Sequence, residues 1–549
     1  MSALPSPHPA PPPVSTALPA LTLDAAVAGV WDVIVIGTGM GGGLLGRRLT
    51  EHGLRVLFVE KGPAGHPAER SGDDLPEAPA ARLLRGSWPK PLEARVNGAT
   101  SHVFGAIGCG VGGSSVFYAA ALERPARHDL DDLPGVPHPA GGWVVGYDAF
   151  LPYFDQAARW LSLHGTPDPL SDAPPLPLHP PPPQGAADRS FMDSFAAAGL
   201  HPYHIHLAIR QPDSCLKCFG TKCPRDCKMD GRSAGVRPAL DSGRAALLTG
   251  CEVEAIEDDG RRVTGLRLRQ GGRQARLAAR AYGLAAGALG SPRLLLASGG
   301  PDGTGAANSS GWVGRGLMFH LNEMFALWPR RGAGGGETGK TIALRDLYLH
   351  RGQRHGIVQS MGIEIGYGRI ALFLRQVFDM SWLARFPRLR GLTRIPAAIA
   401  ARLFGRASMF VGLMEDLPYP ENRVLLNPDD PEVLTFEYRF HPELLRRRRA
   451  FRRAIRRAFR GHRRLLLGLT PALNLGHPSG TLRFGADPAH SVLNADCRSH
   501  DLDNLYVADA SFMPSSLGVN PSLTIAANAI RVGDAMARAL NPPPGDRDA

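Results

Sequence analysis

His477 opens the run HPSGTLRFGADP (477–488), among residues that favour a turn over a helix or strand. A histidine on a turn containing Pro478 and Gly480 can project its ring into a cavity. With an ordinary pKa of about 6.5, such a ring exchanges a proton near neutral pH. Asn520 follows in GVNPSLTIAANA, a polar amide beside Pro521 that does not look like core material. A second constellation is SCLKCFGTKCPRDCKMDGRSAG, where Cys215, Cys218, Cys223 and Cys227 stand at C-x2-C-x4-C-x3-C. Thiolates this close in sequence can converge on one ion or cluster, although the spacing matches neither standard ferredoxin pattern. An iron–sulfur cluster, a structural zinc and plain reduced thiols are all open readings of this loop. Cys109, Cys251 and Cys497 are isolated and read as small buried hydrophobes.

Elements that could position such residues begin at WDVIVIGTGMGGGLLGRRLTEHGLRVLFVEKG. Val33 to Ile36 form an apolar run typical of a strand buried on both faces. Gly37, Gly39 and Gly42 fall at G-x-G-x-x-G spacing, Leu44, Leu45 and Leu49 mark a helix, and Leu54 to Val59 form a second strand ending at Glu60. The first glycine permits a tight turn, the second a close approach to a diphosphate, and the third close helix–strand packing. The exposed N–H groups and positive end of the helix dipole attract the diphosphate. Glu60 can accept hydrogen bonds from a ribose. Thr38, Met40, Gly41 and Lys61 share these two loops and join the candidate cofactor residues.

Further motifs follow in order: GCGVGGSSVFYAAALERP from Gly108, AGALGSPRLLLAS from Ala286, NSSGWVGRGLMFH from Asn308, MEDLPYPENRVLLNPDD from Met414 and NLYVADASFMPSSLGVNPSLTIAANAIR near the C-terminus. Together they resemble the glucose–methanol–choline (GMC) oxidoreductases over Asp32 to about Ala539. The GVNP ending is most similar to the cholesterol-oxidase-like branch. The resemblance implies FAD and oxidation of an alcohol CH–OH group by hydride transfer to flavin N5. It makes His477 the base and gives Asn520 a hydrogen bond to the same oxygen. It adds Gly108, Gly112, Gly113, Ser114, Tyr118, Val253, Ala286, Asp509, Ala510, Asn520 and Pro521 to the cofactor-binding set. Phe117 stands where some members attach flavin through a histidine, so the FAD is expected to be non-covalent. Tyr118 replaces a frequent asparagine. The family's extra acidic base has no clear counterpart, with Glu364 a candidate. The cysteine loop lies where some related bacterial glucose dehydrogenases carry an iron–sulfur cluster.

The chain has 549 residues, 44% hydrophobic and 20% charged, with a formal net charge of +12. This is globular composition with capacity for two or three domains. The N-terminal 29 residues, rich in Pro and Ala, read as a disordered tail without signal-peptide character. No apolar run approaches the roughly 18 residues of a spanning helix, so a cytoplasmic protein is expected, with peripheral membrane contact open. The fold expected is α/β: a discontinuous Rossmann-like FAD domain from 30–125, 235–320 and 470–549. An α+β substrate domain with a mainly antiparallel sheet would come from 126–234 and 321–469. HPELLRRRRAFRRAIRRAFRGHRRLLL, from His441, reads as an amphipathic surface helix with solvated arginines. The preceding stretch from Ile370 to Phe410 mixes bulky apolar residues with arginines. It suits either a membrane interface or helices with buried faces. Charge alone leaves nucleic acid open and nothing else supports it, so no nucleic-acid partner is expected. The expected substrate is an alcohol, sterol- or long-chain-like on these hints; the electron acceptor is oxygen, a quinone or a protein. The alternatives are a non-redox lyase on the same fold and a membrane-docking flavoprotein without alcohol oxidation.

Overall fold

The computed structural model describes residues 17–65, 78–211, 215–225, 227–299, 303–329, 339–362, 371, 374–375, 378, 385–404, 407–468 and 470–541. Glu364 lies outside the described residues.

Five parallel strands form the nucleotide sheet, in the order Leu505–Val507, Ala281–Leu284, Val33–Ile36, Val56–Val59, Ala245–Leu248. Every residue of the central VIVI strand is buried, as a sheet covered on both faces requires. The Met40–Glu51 helix packs Leu44, Leu45 and Leu49 into the core, and the Ser522–Leu540 helix packs beside it. Glycine makes that approach possible: a Cβ on Gly46 would come within 2.1 Å of the Phe58 ring.

A second sheet of six antiparallel strands has the order Arg464–Leu466, Leu321–Leu327, Ser408–Met414, Val358–Ser360, Ile342–Leu344, Tyr203–His204. Its core includes Phe325, Phe410 and Phe451. It covers the cavity described below through Asn322, Gln359, Val411 and Leu413.

Three features differ from the expectation. The tail is shorter than 29 residues: Leu23–Ala28 is a helix whose Thr22 hydroxyl accepts from the Ala25 N–H. The strand Leu92–Val96, counted with the nucleotide half, pairs in parallel with Thr435–Tyr438. Long-range parallel pairing of this kind leaves no local sequence signal. The arginine-rich helix, Pro442–Ala458, is not simply solvated. Leu444, Phe451 and Ile455 are buried, but so are Arg447 and Arg448. Arg448 and Arg452 both donate to Glu323, which is 1% exposed. Arg447 donates to the carbonyls of Arg354 and Glu415. The charge pattern marked the helix, while the buried acid that fixes its roll lies more than a hundred residues upstream. Of the apolar stretch before it, Leu392, Ile395 and Ile399 are exposed, not packed.

Glu323 neutralises two largely buried guanidinium groups, and removing it leaves both uncompensated. Glu323→Ala should therefore lower unfolding stability by about 3–5 kcal/mol, read from denaturant midpoints. A change below about 1 kcal/mol, the scale of a surface pair, would contradict the buried arrangement.

Candidate active site

The carboxyl ends of the nucleotide-sheet strands open on a cavity of about 460 Å³ that also reaches His477 and Asn520. Gly37 makes the first turn at φ +92°, and a Cβ there would meet the Ala285 carbonyl oxygen at 2.5 Å. Gly41 is closed off by Ala508, whose carbonyl oxygen would lie 1.9 Å from a Cβ. Gly39 differs: a Cβ would meet no protein atom within 4 Å, and its backbone at φ −62° suits any residue. The space beside Gly39, at the helix N-terminus, fits a diphosphate.

Glu60 ends its strand 6% exposed. Oε2 accepts from the Thr38 N–H at 3.1 Å and hydroxyl at 2.6 Å, and Oε1 accepts from the Gly62 N–H at 3.0 Å. Oε1 keeps a lone pair for a ribose hydroxyl. Lys61 is held by Glu252 at 2.7 Å. Of the expected cofactor residues, Thr38, Met40, Lys61, Gly108, Gly113, Ser114, Tyr118, Val253, Ala286, Asp509, Ala510 and Pro521 all line the cavity. Gly42 and Gly112 do not. Gly42 packs on the Gly37 carbonyl, and Gly112, at φ +93°, packs on Val116 and Arg232. Both serve backbone packing behind the wall. Asp509 is nearly saturated, accepting from the Gly287 N–H and from the N–H and hydroxyl of Ser511, and from the Ser291 hydroxyl.

The turn bearing His477 is pinned on two sides. Ser479 and Met318 exchange backbone hydrogen bonds at 3.0 Å, the Asn474 N–H donates to the His320 carbonyl, and Gly480 N–H donates to the Ala510 carbonyl. Gly480 takes φ +89°, and a Cβ there would meet Met318 and Gly316 at 2.5 and 2.6 Å. Sequence reasoning assigns His320 no role, yet its Nδ1 lies 3.2 Å from Nδ1 of His477. His320 Nε2 contacts the Leu517 carbonyl at 3.0 Å. That oxygen can only accept, so Nε2 carries a proton. Burial pushes the His320 pKa down to about 4, leaving Nδ1 bare. A hydrogen bond across this contact requires His477 to donate from Nδ1. Asn474 Nδ2 also approaches that atom, at 3.1 Å, and its amide competes with His320 for it. With Nδ1 donating, Nε2 of His477 is a free lone pair in a residue that lines the cavity. Burial first, then the charges of His320 and Lys340, hold the His477 pKa well below its ordinary value. The ring is a neutral proton acceptor at neutral pH.

Leu517, which fixes this arrangement, takes a left-handed φ of +65° although it is not glycine. Such a conformation costs on the order of 1–3 kcal/mol and collects at functional sites. Asn520 lies just before the Ser522–Leu540 helix, with Oδ1 buried and no donor to it among the described residues.

The Tyr118 hydroxyl donates to the Met229 carbonyl, so only its ring faces the cavity. Lys228, 1% exposed, donates to the carbonyls of Val116, Tyr118, Cys218 and Thr221. It ties the cysteine loop to the cavity wall, a role sequence reasoning missed. Cys218, Cys223 and Cys227 form a buried cluster, with Cys215 at its edge. The Cys223 and Cys227 sulfurs stand 3.3 Å apart, closer than the roughly 3.8 Å edge of a tetrahedron with 2.3 Å Zn–S bonds. Among the described residues no set of three or more His, Cys, Asp or Glu side chains is arranged to hold a metal ion. Cys215 also reaches Cys227, and Cys218 reaches Cys223, so the four thiols converge in one cluster.

The contrast between Gly39 and Gly41 is testable. Gly39→Ala should fold normally but bind FAD at least about tenfold more weakly, because its methyl enters the diphosphate space. Gly41→Ala should lose thermal stability, because its methyl meets backbone. Calorimetry with FAD titration separates the two; equal behaviour would contradict the geometry.

A family model described as GMC oxidoreductase matches residues 33–322, and a second of the same description matches 418–529. The chain is 30% identical to 6'''-hydroxyparomomycin C oxidase of Streptomyces lividus, over 93% of this chain and 92% of that protein. It is 27% identical to 2-methyl-1,2-propanediol dehydrogenase of Mycolicibacterium austroafricanum, over 92% and 95% respectively. The crystal structure of pyridoxine 4-oxidase from Mesorbium loti shares the fold, with TM-score 0.60 and 22% identity over 92% of this chain and 99% of that one. With strands, cavity and motifs in the same order, the chain belongs to the GMC oxidoreductase family and is an FAD-dependent alcohol oxidoreductase.

Proposed function

We propose that this chain oxidises the CH–OH group of a small, hydroxyl-rich alcohol, with His477 taking the hydroxyl proton on Nε2. The observation that carries the reading is the polarity of the cavity wall around His477. Asn322, Lys340, Gln359, Asn474 and Asn520 all line it. Asn322 Oδ1, Gln359 Oε1 and Asn520 Oδ1 are buried without a donor among the described residues. A hydrocarbon lying against these oxygens would leave each unsatisfied, at about 1–3 kcal/mol apiece. Substrate hydroxyls would satisfy them. This favours a polyol over the sterol-like substrate suggested by the GVNP ending. Relatives named for paromamine, 2-methyl-1,2-propanediol and fructose support the same class.

Bound FAD would supply the two-electron acceptor for the carbinol hydrogen. The residues that would hold it are those around Gly37, Gly39 and Glu60, with Tyr118 and Phe117 against it. Phe117 offers no atom for a covalent link. His477, neutral, accepts the hydroxyl proton, and the Asn520 amide orients the same oxygen. The N-terminus of the Ser522–Leu540 helix turns the positive end of its dipole toward the cavity, which favours negative charge building there. No step passes through the cysteine loop. Peripheral contact with anionic lipid is part of this reading, supported by exposed Leu392 on the 3-10 turn Pro387–Thr393 and by Ile395 and Ile399, exposed on the following helix with Arg394 and Arg402.

Anaerobic bleaching of the FAD-loaded protein tests the reading. Polyols should bleach the flavin and sterols should not. His477→Ala should retain FAD and bleach about 10²–10⁴-fold more slowly. Bleaching by sterols alone, or an undiminished rate in the variant, would refute it. Absorption beyond the flavin bands in the starting spectrum would report a cluster at the cysteine loop.

A further inference from the structure

Lys340 is a charged group in the cavity that the proton chemistry leaves without work. It is 5% exposed and lines the same cavity as His477, Asn322 and Gln359. Among the described residues its ammonium has no hydrogen bond or ion pair. The acid whose field reaches it is Glu123. That carboxylate is committed elsewhere: Oε2 accepts from Arg345 at 3.1 Å and from the Tyr203 hydroxyl at 2.8 Å, and Oε1 accepts from the His206 N–H at 2.9 Å. The backbone holds Lys340 in place. Gly362 takes φ +63°, and a Cβ there would meet the Lys340 backbone nitrogen at 2.5 Å.

A buried ammonium without a dedicated partner is costly unless a ligand brings negative charge or strong acceptors. Burial draws the Lys340 pKa down to about 8, and a bound anion would restore its charge. The amide oxygens of Asn322 and Gln359 make the opposite demand, for donors. A molecule with a carboxylate at one end and hydroxyls along its length meets both demands.

We propose that Lys340 is a specificity-determining residue that binds a substrate carboxylate, so that the alcohol oxidised here is a polyhydroxy acid of the sugar-acid class. This rests on the polyol oxidation proposed above and adds the charge of the substrate. A cationic aminopolyol, such as the paromamine for which one relative is named, would place two ammonium groups in one cavity, and Lys340 selects against it here.

The test uses three six-carbon polyols that differ in one terminal group: gluconate, sorbitol and glucamine. Anaerobic flavin bleaching of the FAD-loaded enzyme gives kcat/KM for each. The expected order is gluconate, then sorbitol, then glucamine, with about 10–100-fold between the first two, the range for a hydrogen bond to a charged group. Lys340→Met should remove most of the gluconate advantage, and Lys340→Arg should restore part of it. Sorbitol bleaching with no preference for gluconate would overturn the Lys340 assignment while leaving polyol oxidation standing. An equal loss for all three substrates in Lys340→Met, with a shifted flavin potential, would place the ammonium against the flavin and also overturn it. Failure of every polyol to bleach would overturn the underlying reading itself. Should Lys340→Met not hold FAD, the ranking with the unmodified enzyme decides alone.

Discussion

The proposed chemistry depends on one contact between two imidazoles, His320 buried and His477 half-buried. His320 spends its Nε2 proton on the Leu517 carbonyl, so the 3.2 Å contact between the two Nδ1 atoms holds together only if His477 donates. That donation leaves His477 Nε2 bare. The fold supplies the supports: backbone bonds from Met318 and His320 hold the His477 turn, and Leu517 keeps its carbonyl aimed at His320 through a left-handed backbone. These segments come from three distant parts of the chain, and the site forms only when all three dock.

Much of the nucleotide half could be read from local pattern. A buried VIVI strand, glycines at fixed offsets and a terminal acid each express a short-range requirement, and Gly39 and Glu60 stand where the spacing put them. His477 and Asn520 were legible through their motif context. The supports were not. His320 and Lys228 act through contacts with residues remote in sequence, and a lone histidine or lysine in a strand or loop carries no periodic signal. Gly42 and Gly112 show the converse: glycines in a binding motif that serve packing behind the wall.

Charge was the least faithful guide. The run of arginines suggested a solvated surface, but burial of Glu323 draws Arg448 and Arg452 inward. Apolar residues upstream suggested a greasy substrate, whereas the wall beside His477 carries unsatisfied amide oxygens and an ammonium. Composition reports how many charges a chain has; only the tertiary structure says which of them are spent on one another. In the function proposed above, the ones left over describe the ligand.

The central claim is that His477 rests neutral with its proton on Nδ1. Two-dimensional ¹⁵N–¹H NMR of histidine-labelled, FAD-loaded protein reads this directly, with subtraction of a His477→Asn spectrum isolating one ring among 19 histidines. The account predicts a protonated Nδ1 and a bare Nε2 from pH 8 to below the ordinary histidine pKa of about 6.5. A proton on Nε2, or an imidazolium at pH 7, would contradict it.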